Sequence, residues 1–86
     1  MINYSRHAKE KLRTKEAKTF KIGKRKINKI IEVGTIVERQ GDVILKVGEL
    51  DFAHSLCVVY KSTEKGIRVI TFFPARKGRY ERKILQ

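Results

Sequence analysis

Cysteine, proline and tryptophan are rare or missing in this sequence. It contains one cysteine, one proline and no tryptophan in 86 residues. A single cysteine excludes an internal disulfide and a cysteine metal cluster. The place of Cys57 within SLCVVY predicts a buried small hydrophobe instead of a reactive thiol.

Long apolar runs are also missing. The longest, LCVVY and VITFF, are far too short to cross a bilayer, and MINYSRHAKEK lacks the apolar stretch of a signal peptide. A chain of this length buries only about 60–65% of its unfolded surface, which supports one modest core. We therefore expect one domain over residues 1–86 that is soluble, cytoplasmic and without a membrane partner.

Catalytic sequence motifs are absent as well. There is no glycine-rich phosphate loop, HExxH, CxxC or GxSxG pattern. We expect no metal and no cofactor. Any chemistry must come from side chains that the fold brings together.

Acidic residues are scarce, and this is the most informative feature of the composition. Nine Asp and Glu face 21 Lys and Arg, for a net charge of +12. Residues 1–32 carry +8, residues 33–73 are neutral and residues 74–86 carry +4. Two concentrated basic blocks can meet in space and attract phosphates, which favours a nucleic acid such as RNA as a partner. A lysine-rich solvated surface, as in heat-adapted proteins, is the alternative.

The first part of the chain has helical patterns. Ser5 is a candidate N-cap for a helix whose Ala8 and Leu12 share one face. A second helix, KRKINKIIEVG, has an isoleucine stripe and ends at Gly34, a suitable C′ residue. Residues 14–23 have no clean period and either prolong the first helix or form a link anchored by Phe20 and Ile22.

From Thr35 onward the period changes to two. TIVERQ and DVILKVGEL flank a Gln40–Gly41 turn and predict a hairpin. HSLCVVYKS and GIRVITFFP are apolar on both faces, as central strands are, and Pro74 is expected to end the second of them. With a short strand INY and a final strand RYERKIL, the sequence predicts an α+β fold. In it, two N-terminal helices pack on a twisted four- to five-stranded antiparallel sheet.

The C-terminal block suits metal-independent RNA cleavage through attack by the 2′-hydroxyl. That reaction needs a base, an acid and cations on the pentavalent phosphate. Arg76 and Arg79 can grip a phosphate with planar forks, and Tyr80 can stack on a base or hold a proton. The alternative is an edge strand made polar to prevent aggregation.

Two histidines are candidate proton-transfer groups. His7 lies early on the first predicted helix and is the preferred candidate, although an ordinary surface or capping role is the alternative. His54, in the LDFAHS connection, is the weaker one. Asp51 and Glu49 beside it are expected to shape the turn. Seven further cations are predicted to contact nucleic acid: Arg6, Arg13, Lys24, Arg25, Lys46, Lys77 and Arg82.

The order of YSRHA, KINKIIEVGTI and CVVYKSTEKGIRVITFFP resembles the RelE/ParE toxin superfamily, in particular a small family of uncharacterised domains that begin with a His-Ala helix. The resemblance implies a helical pair on a twisted antiparallel sheet, a small acidic antitoxin as partner and, for many members, cleavage of messenger RNA on the ribosome. It places the arginine after the penultimate strand at Arg76 and the C-terminal tyrosine or histidine near Tyr80. The strand arginine of such nucleases falls at Leu56 and Cys57, so Lys46 or Arg68 would have to replace it.

Two functional hypotheses follow. The first is a metal-independent endoribonuclease toxin that uses His7, Arg76, Arg79 and Tyr80. The second is a non-catalytic basic module that binds RNA, DNA or an acidic protein through the same surface. The clustering of the C-terminal arginines and tyrosine favours the first, and the missing strand arginine favours the second.

Overall fold

The computed structural model describes residues 1–79, and the predicted final strand RYERKIL with Tyr80 and Arg82 lies outside them. The fold is α+β. Its elements are β1 (Ile2–Tyr4), α1 (Arg6–Lys11), α2 (Lys15–Thr19), α3 (Lys24–Val33), β2 (Thr35–Gln40), β3 (Val43–Glu49), β4 (His54–Thr63) and β5 (Gly66–Arg76). The five strands form an open mixed sheet in the order β1-β5-β4-β3-β2.

The sheet is mixed because β1 pairs with β5 in parallel, with Ile2 opposite Ile67 and Tyr4 opposite Val69. The other pairs are antiparallel, as predicted. The all-antiparallel sheet predicted from the sequence is wrong for β1, because no residue pattern indicates the direction of so short a strand. Helix α1 follows β1 at once, and Ser5 N–H donates to the Val69 carbonyl at 2.9 Å, which continues the contact with β5.

The helical layer contains three short helices instead of two. Ser5 caps α1 as predicted, with its hydroxyl accepting from Ala8 N–H at 3.1 Å. Thr14 repeats the arrangement, accepting from Ala17 N–H at 3.2 Å, and so begins the separate helix α2. The anchors predicted for this segment are confirmed, because Ile22 is buried and Phe20 packs against the core.

The core lies between the helices and one face of the sheet. The buried α3 residues Ile27, Ile30 and Ile31 are those predicted, and they pack on Leu56, Val58, Phe72 and their neighbours. The opposite side of the sheet is called the open face here. Within residues 1–79 no helix packs on it, and Val47, Cys57 and Ala75 form a smaller cluster there with Val37, Leu45 and Phe73. Cys57 is fully buried in this cluster, as predicted.

Two glycines let α3 approach the sheet closely. Gly34 has φ −71, so it does not adopt the left-handed conformation that its predicted place after α3 favours. A side chain there would meet the Ile30 carbonyl at 2.5 Å. At Gly48 a Cβ would lie 2.2 Å from the tip of Ile30. A larger residue is thus excluded at Gly34 by backbone, whereas at Gly48 it would require the Ile30 side chain to move.

Pro74 does not end β5, which continues to Arg76. Beyond Val69, β1 no longer covers that side of β5, and Lys11 fills part of the gap by donating from Nζ to the Phe72 carbonyl and to Thr71 Oγ1. Strand residues alternate in the direction of their backbone groups, so Pro74 faces the same uncovered edge as Phe72. A proline is tolerated there because no ladder hydrogen bond is lost.

Tyr4 links β1 to α3. Its hydroxyl donates to Asn28 Oδ1 at 2.6 Å and approaches the Lys24 carbonyl at 3.2 Å, and burial raises the pKa of Tyr4 to about 12. The neutral phenol is thus favoured in the folded state. Its contribution to stability is complete below the unfolded pKa of about 10 and is lost as the pH rises toward 12.

We expect Tyr4→Phe to lower the free energy of unfolding at pH 7 by about 1 kcal/mol, because a net hydrogen bond is lost. The variant should also lose the tyrosinate absorbance that appears near pH 12 in the folded protein. An alkaline absorbance titration measures this. An unchanged titration curve in the folded variant would contradict the assignment.

Candidate nucleic-acid site at the end of the β4–β5 pair

The β4–β5 pairing brings two candidate site residues directly opposite one another. His54 begins β4, Arg76 ends β5, and the two are cross-strand partners. Directly opposite residues point to the same face with Cβ atoms about 4.5–5.5 Å apart. The weaker of the two histidine candidates therefore lies beside Arg76, one of the two arginines predicted to grip a phosphate.

A tight turn follows Arg76. Arg79 N–H donates to the Arg76 carbonyl at 3.2 Å, and Gly78 has φ 90, as the third position of a type II turn requires. Lys77 N–H donates to the Ala53 carbonyl at 3.0 Å, which fastens the turn to the β3–β4 connection. This segment, residues 76–79, is called the arginine turn. It holds Arg76 and Arg79 close together, as the sequence predicts for a phosphate grip.

Asp51 positions His54. Its Oδ1 accepts from Ala53 N–H and His54 N–H, both at 2.8 Å, and lies 3.0 Å from His54 Nδ1. The predicted role of Asp51 in shaping the turn is confirmed. Desolvation alone would raise the pKa of Asp51, but the bonds from Ala53 and His54 together lower it below its ordinary value.

The His54 ring is also held from the helical side. Phe20, just after α2, contacts it edge to face with ring centroids 4.8 Å apart. With Nδ1 against Asp51, Nε2 is the ring nitrogen left to exchange a proton with a ligand. His54 is partly exposed, with 31% of its side chain accessible. A carboxylate-oriented imidazole beside an arginine is an arrangement suited to proton transfer at a phosphate.

His7 lies elsewhere. It is exposed on the first turn of α1, whose N-cap Ser5 donates from Oγ to the Ile70 carbonyl at 2.9 Å. Arg76 is six residues further along β5, about 20 Å at roughly 3.3 Å per residue. The structure thus places Arg76 opposite His54 and returns Arg79 toward Arg76, whereas His7 is on α1, which begins beside the middle of β5. Tyr80 lies outside the described residues, so its predicted approach to His7 stays a prediction.

Some of the cations predicted to contact nucleic acid are exposed, and others lie beside a carboxylate or an aromatic ring. Arg13 and Arg25 are exposed, and Arg6 is exposed beside Glu10, with Nε 3.4 Å from the carboxylate. Lys24 places its ammonium 5.1 Å from the centre of the Tyr4 ring. Exposed pairs of this kind contribute little and exchange readily for a phosphate.

Lys46 has a structural role that the sequence did not reveal. Its ammonium is half-buried beneath α3, donates to the Ile31 carbonyl at 2.5 Å and lies 5.9 Å from the Tyr60 ring centre. Ile31 lies in the last turn of α3, where carbonyls lack helical partners. Lys46 thereby caps the helix, which argues against its replacing the missing strand arginine.

Lys77 lies on the open-face side of the arginine turn, with Nζ 3.4 Å from Glu49 Oε1. A concavity of about 370 Å³ adjoins this pair and is lined by Thr35, Val47, Gly48, Ser55 and Gly78 among others. Within residues 1–79 no group of three or more His, Cys, Asp and Glu side chains is arranged to hold a metal ion. The site as described offers cations, one oriented imidazole and an adjacent concavity.

No family model, no curated protein and no solved structure matches this chain. Within the described residues no helix is long and apolar enough to span a membrane. The case for a function therefore depends on the site itself.

The pH dependence of stability tests the bonds to Asp51. A lowered pKa contributes stability that is complete above the unfolded pKa of about 3.9 and is lost as the pH falls through the folded value. We expect the free energy of unfolding to fall more between pH 5 and pH 2.5 in the wild type than in Asp51→Asn. Glu64→Gln, in the exposed β4–β5 turn, is the control and should follow the wild type. Equal slopes for the wild type and Asp51→Asn would contradict these bonds.

Proposed function

We propose that the chain is a metal-independent endoribonuclease of the RelE type that binds RNA at the arginine turn. The observation that carries the proposal is the direct pairing of His54 with Arg76, in which Asp51 holds the imidazole and Arg79 is returned beside Arg76. The proposal assigns a RelE-like fold, a cytoplasmic location and a small acidic antitoxin as protein partner.

The chemistry follows from the arrangement. Arg76 and Arg79 grip the phosphate and neutralise the charge that develops on its oxygens. His54 takes the 2′-hydroxyl proton through Nε2, while Asp51 fixes Nδ1–H and stabilises the imidazolium that forms. The 2′-oxygen attacks phosphorus and the 5′-oxygen departs with a proton. Tyr80, three residues after the Lys77 anchor, is the proposed source of that proton.

A non-catalytic module that binds nucleic acid or an acidic protein is the second candidate function. Cys57 favours it, because it is fully buried among apolar side chains at the position where the resembled nucleases carry an arginine. Neither Lys46 nor Arg68 is placed to supply the missing arginine. Lys46 caps α3, and Arg68 lies across the strands from Lys61, eight residues from Arg76.

Two variants separate binding from cleavage. Arg76→Ala removes a fork used in both ground and transition states, so affinity and cleavage should fall together. His54→Gln should lower cleavage about 10²-fold or more with affinity nearly unchanged, because general acid–base catalysis contributes that much. The measurement is cleavage of free labelled RNA in EDTA and, separately, of messenger RNA on translating ribosomes in magnesium buffer, beside affinity for RNA methylated at its 2′-oxygens.

His7→Ala decides between the two histidines. Loss of cleavage in this variant with full activity in His54→Gln would show that the assignment to His54 is wrong and that His7 is the proton-transfer group. If the wild type binds RNA but never cleaves it, even on ribosomes, the binding module replaces the nuclease.

A further inference from the structure

A second group of cations lies at the opposite end of the sheet from the arginine turn. On the open face, Lys61 of β4 is directly opposite Arg68 of β5, and Asn3 of β1 is directly opposite Arg68 on its other side. Lys65, in the turn between β4 and β5, is exposed, and its N–H donates to Thr63 Oγ1 at 3.3 Å. Three cations and an amide therefore share one end of the sheet.

This arrangement costs stability unless an anion is present. Like charges directly opposite in a sheet destabilise the pair. Neither Lys61 nor Arg68 forms an ion pair within residues 1–79. The side chains border a concavity of about 270 Å³ whose lining also includes Thr63 and Gly66 and contains no carboxylate. The space is suitable for an anion, and the groups around it are donors.

Protection of a sheet edge does not explain the cations. Edge strands often carry lysines that prevent pairing with other chains. Lys61 and Arg68 instead occupy interior strands, because β4 is flanked by β3 and β5, and β5 at this point is flanked by β1 and β4. Their side chains cannot block an edge that does not exist there.

We propose that Asn3, Lys61, Lys65 and Arg68 form a second phosphate site, which holds a phosphodiester of the same RNA at a distance from the cleavage site. The proposal rests on the RNA substrate of the proposed function. Arg68 and Arg76 are eight residues apart on β5, about 26 Å along the strand at roughly 3.3 Å per residue, and they face opposite sides of the sheet because the irregularity between Val59 and Tyr60 shifts the alternation. RNA that reaches both sites therefore passes round the end of the sheet from Arg76 onto the open face, where half-buried Phe73 offers an aromatic ring on which a base can stack.

The dependence of affinity on RNA length tests whether one RNA occupies both sites. A stacked strand advances about 3.4 Å per nucleotide, so roughly eight nucleotides are needed to reach both sites. Wild type should bind a 12-nucleotide RNA, methylated at its 2′-oxygens, at least about 10²-fold more tightly than a 3-nucleotide RNA, because the second contact becomes intramolecular. Lys61→Gln/Arg68→Gln should lose most of this advantage. The control Lys15→Gln/Lys18→Gln, which removes two exposed α2 cations, should keep it.

Stability gives an independent readout. In buffer without phosphate, Lys61→Gln should raise Tm because it removes the repulsion, although it weakens binding of the longer RNA. An unchanged or lowered Tm in this variant would show that the cross-strand charges do not repel, and would remove the physical basis of the site.

Amide shifts in NMR spectra separate the possible ligands and the two sites. The 12-nucleotide RNA should shift both Gly66, beside the second site, and Gly78, in the arginine turn. The Lys61→Gln/Arg68→Gln variant should keep the Gly78 shift and lose the Gly66 shift. Shifts at Gly78 without Gly66 would overturn the second site and leave the proposed function standing. Shifts at Gly66 with pyrophosphate but not with RNA would overturn the assignment to a nucleic acid.

Discussion

The pairing of β4 with β5 is the constraint on which the rest of the structure depends. It runs from His54–Arg76 at one end to Thr63–Gly66 at the other, with one irregularity between Val59 and Tyr60. This single register places the imidazole beside the arginine turn and Lys61 beside Arg68. A slip of one residue would reverse the faces of all these side chains. The hydrophobic pattern protects the register, since Leu56, Val58 and Phe72 must remain beneath the helices.

The two faces of the sheet differ in packing and in charge. One face is covered by the helices, which carry nine of the 21 Lys and Arg residues. Most of these cations lie on the helix sides that face away from the core. The other face holds a small apolar cluster in its middle and cations toward its ends. Its centre is apolar at Cys57. Phosphate contacts would therefore come from the two ends of the β4–β5 pair.

Much of the fold could be predicted from the sequence, because it follows from local patterns. Each of these patterns predicts the helix or strand in which it lies: the Ser5 cap predicts α1, the isoleucine stripe predicts α3 and the alternation predicts β3. The separate helix α2 was missed because Thr14 caps it within a segment that has no hydrophobic period. Continuation of β5 past Pro74 could not be foreseen, since it depends on where β1 ends. The parallel pairing of β1 likewise depends on contacts between residues distant in sequence.

The candidate site was only partly predictable. Arg76 and Arg79 could be found because they are close in sequence, and the Asp51 turn follows from its spacing to His54. The alignment of His54 with Arg76 depends on register across a long hairpin, which charge patterns do not report. Conversely, the sequence favours His7 because it lies among cations along the chain, whereas α1 begins beside the middle of β5. Lys46 was assigned to nucleic acid from its charge alone, and only packing reveals its bond to α3.

The central claim is that RNA phosphate binds where His54 and Arg76 meet. A crystal structure of the chain bound to a 12-nucleotide RNA, methylated at its 2′-oxygens to prevent cleavage, tests it most directly. The account predicts one phosphate within hydrogen-bonding distance of the Arg76 guanidinium, with His54 Nε2 facing the adjacent 2′-oxygen. RNA bound only along the outer faces of α1 and α3, with no phosphate at the arginine turn, would contradict it.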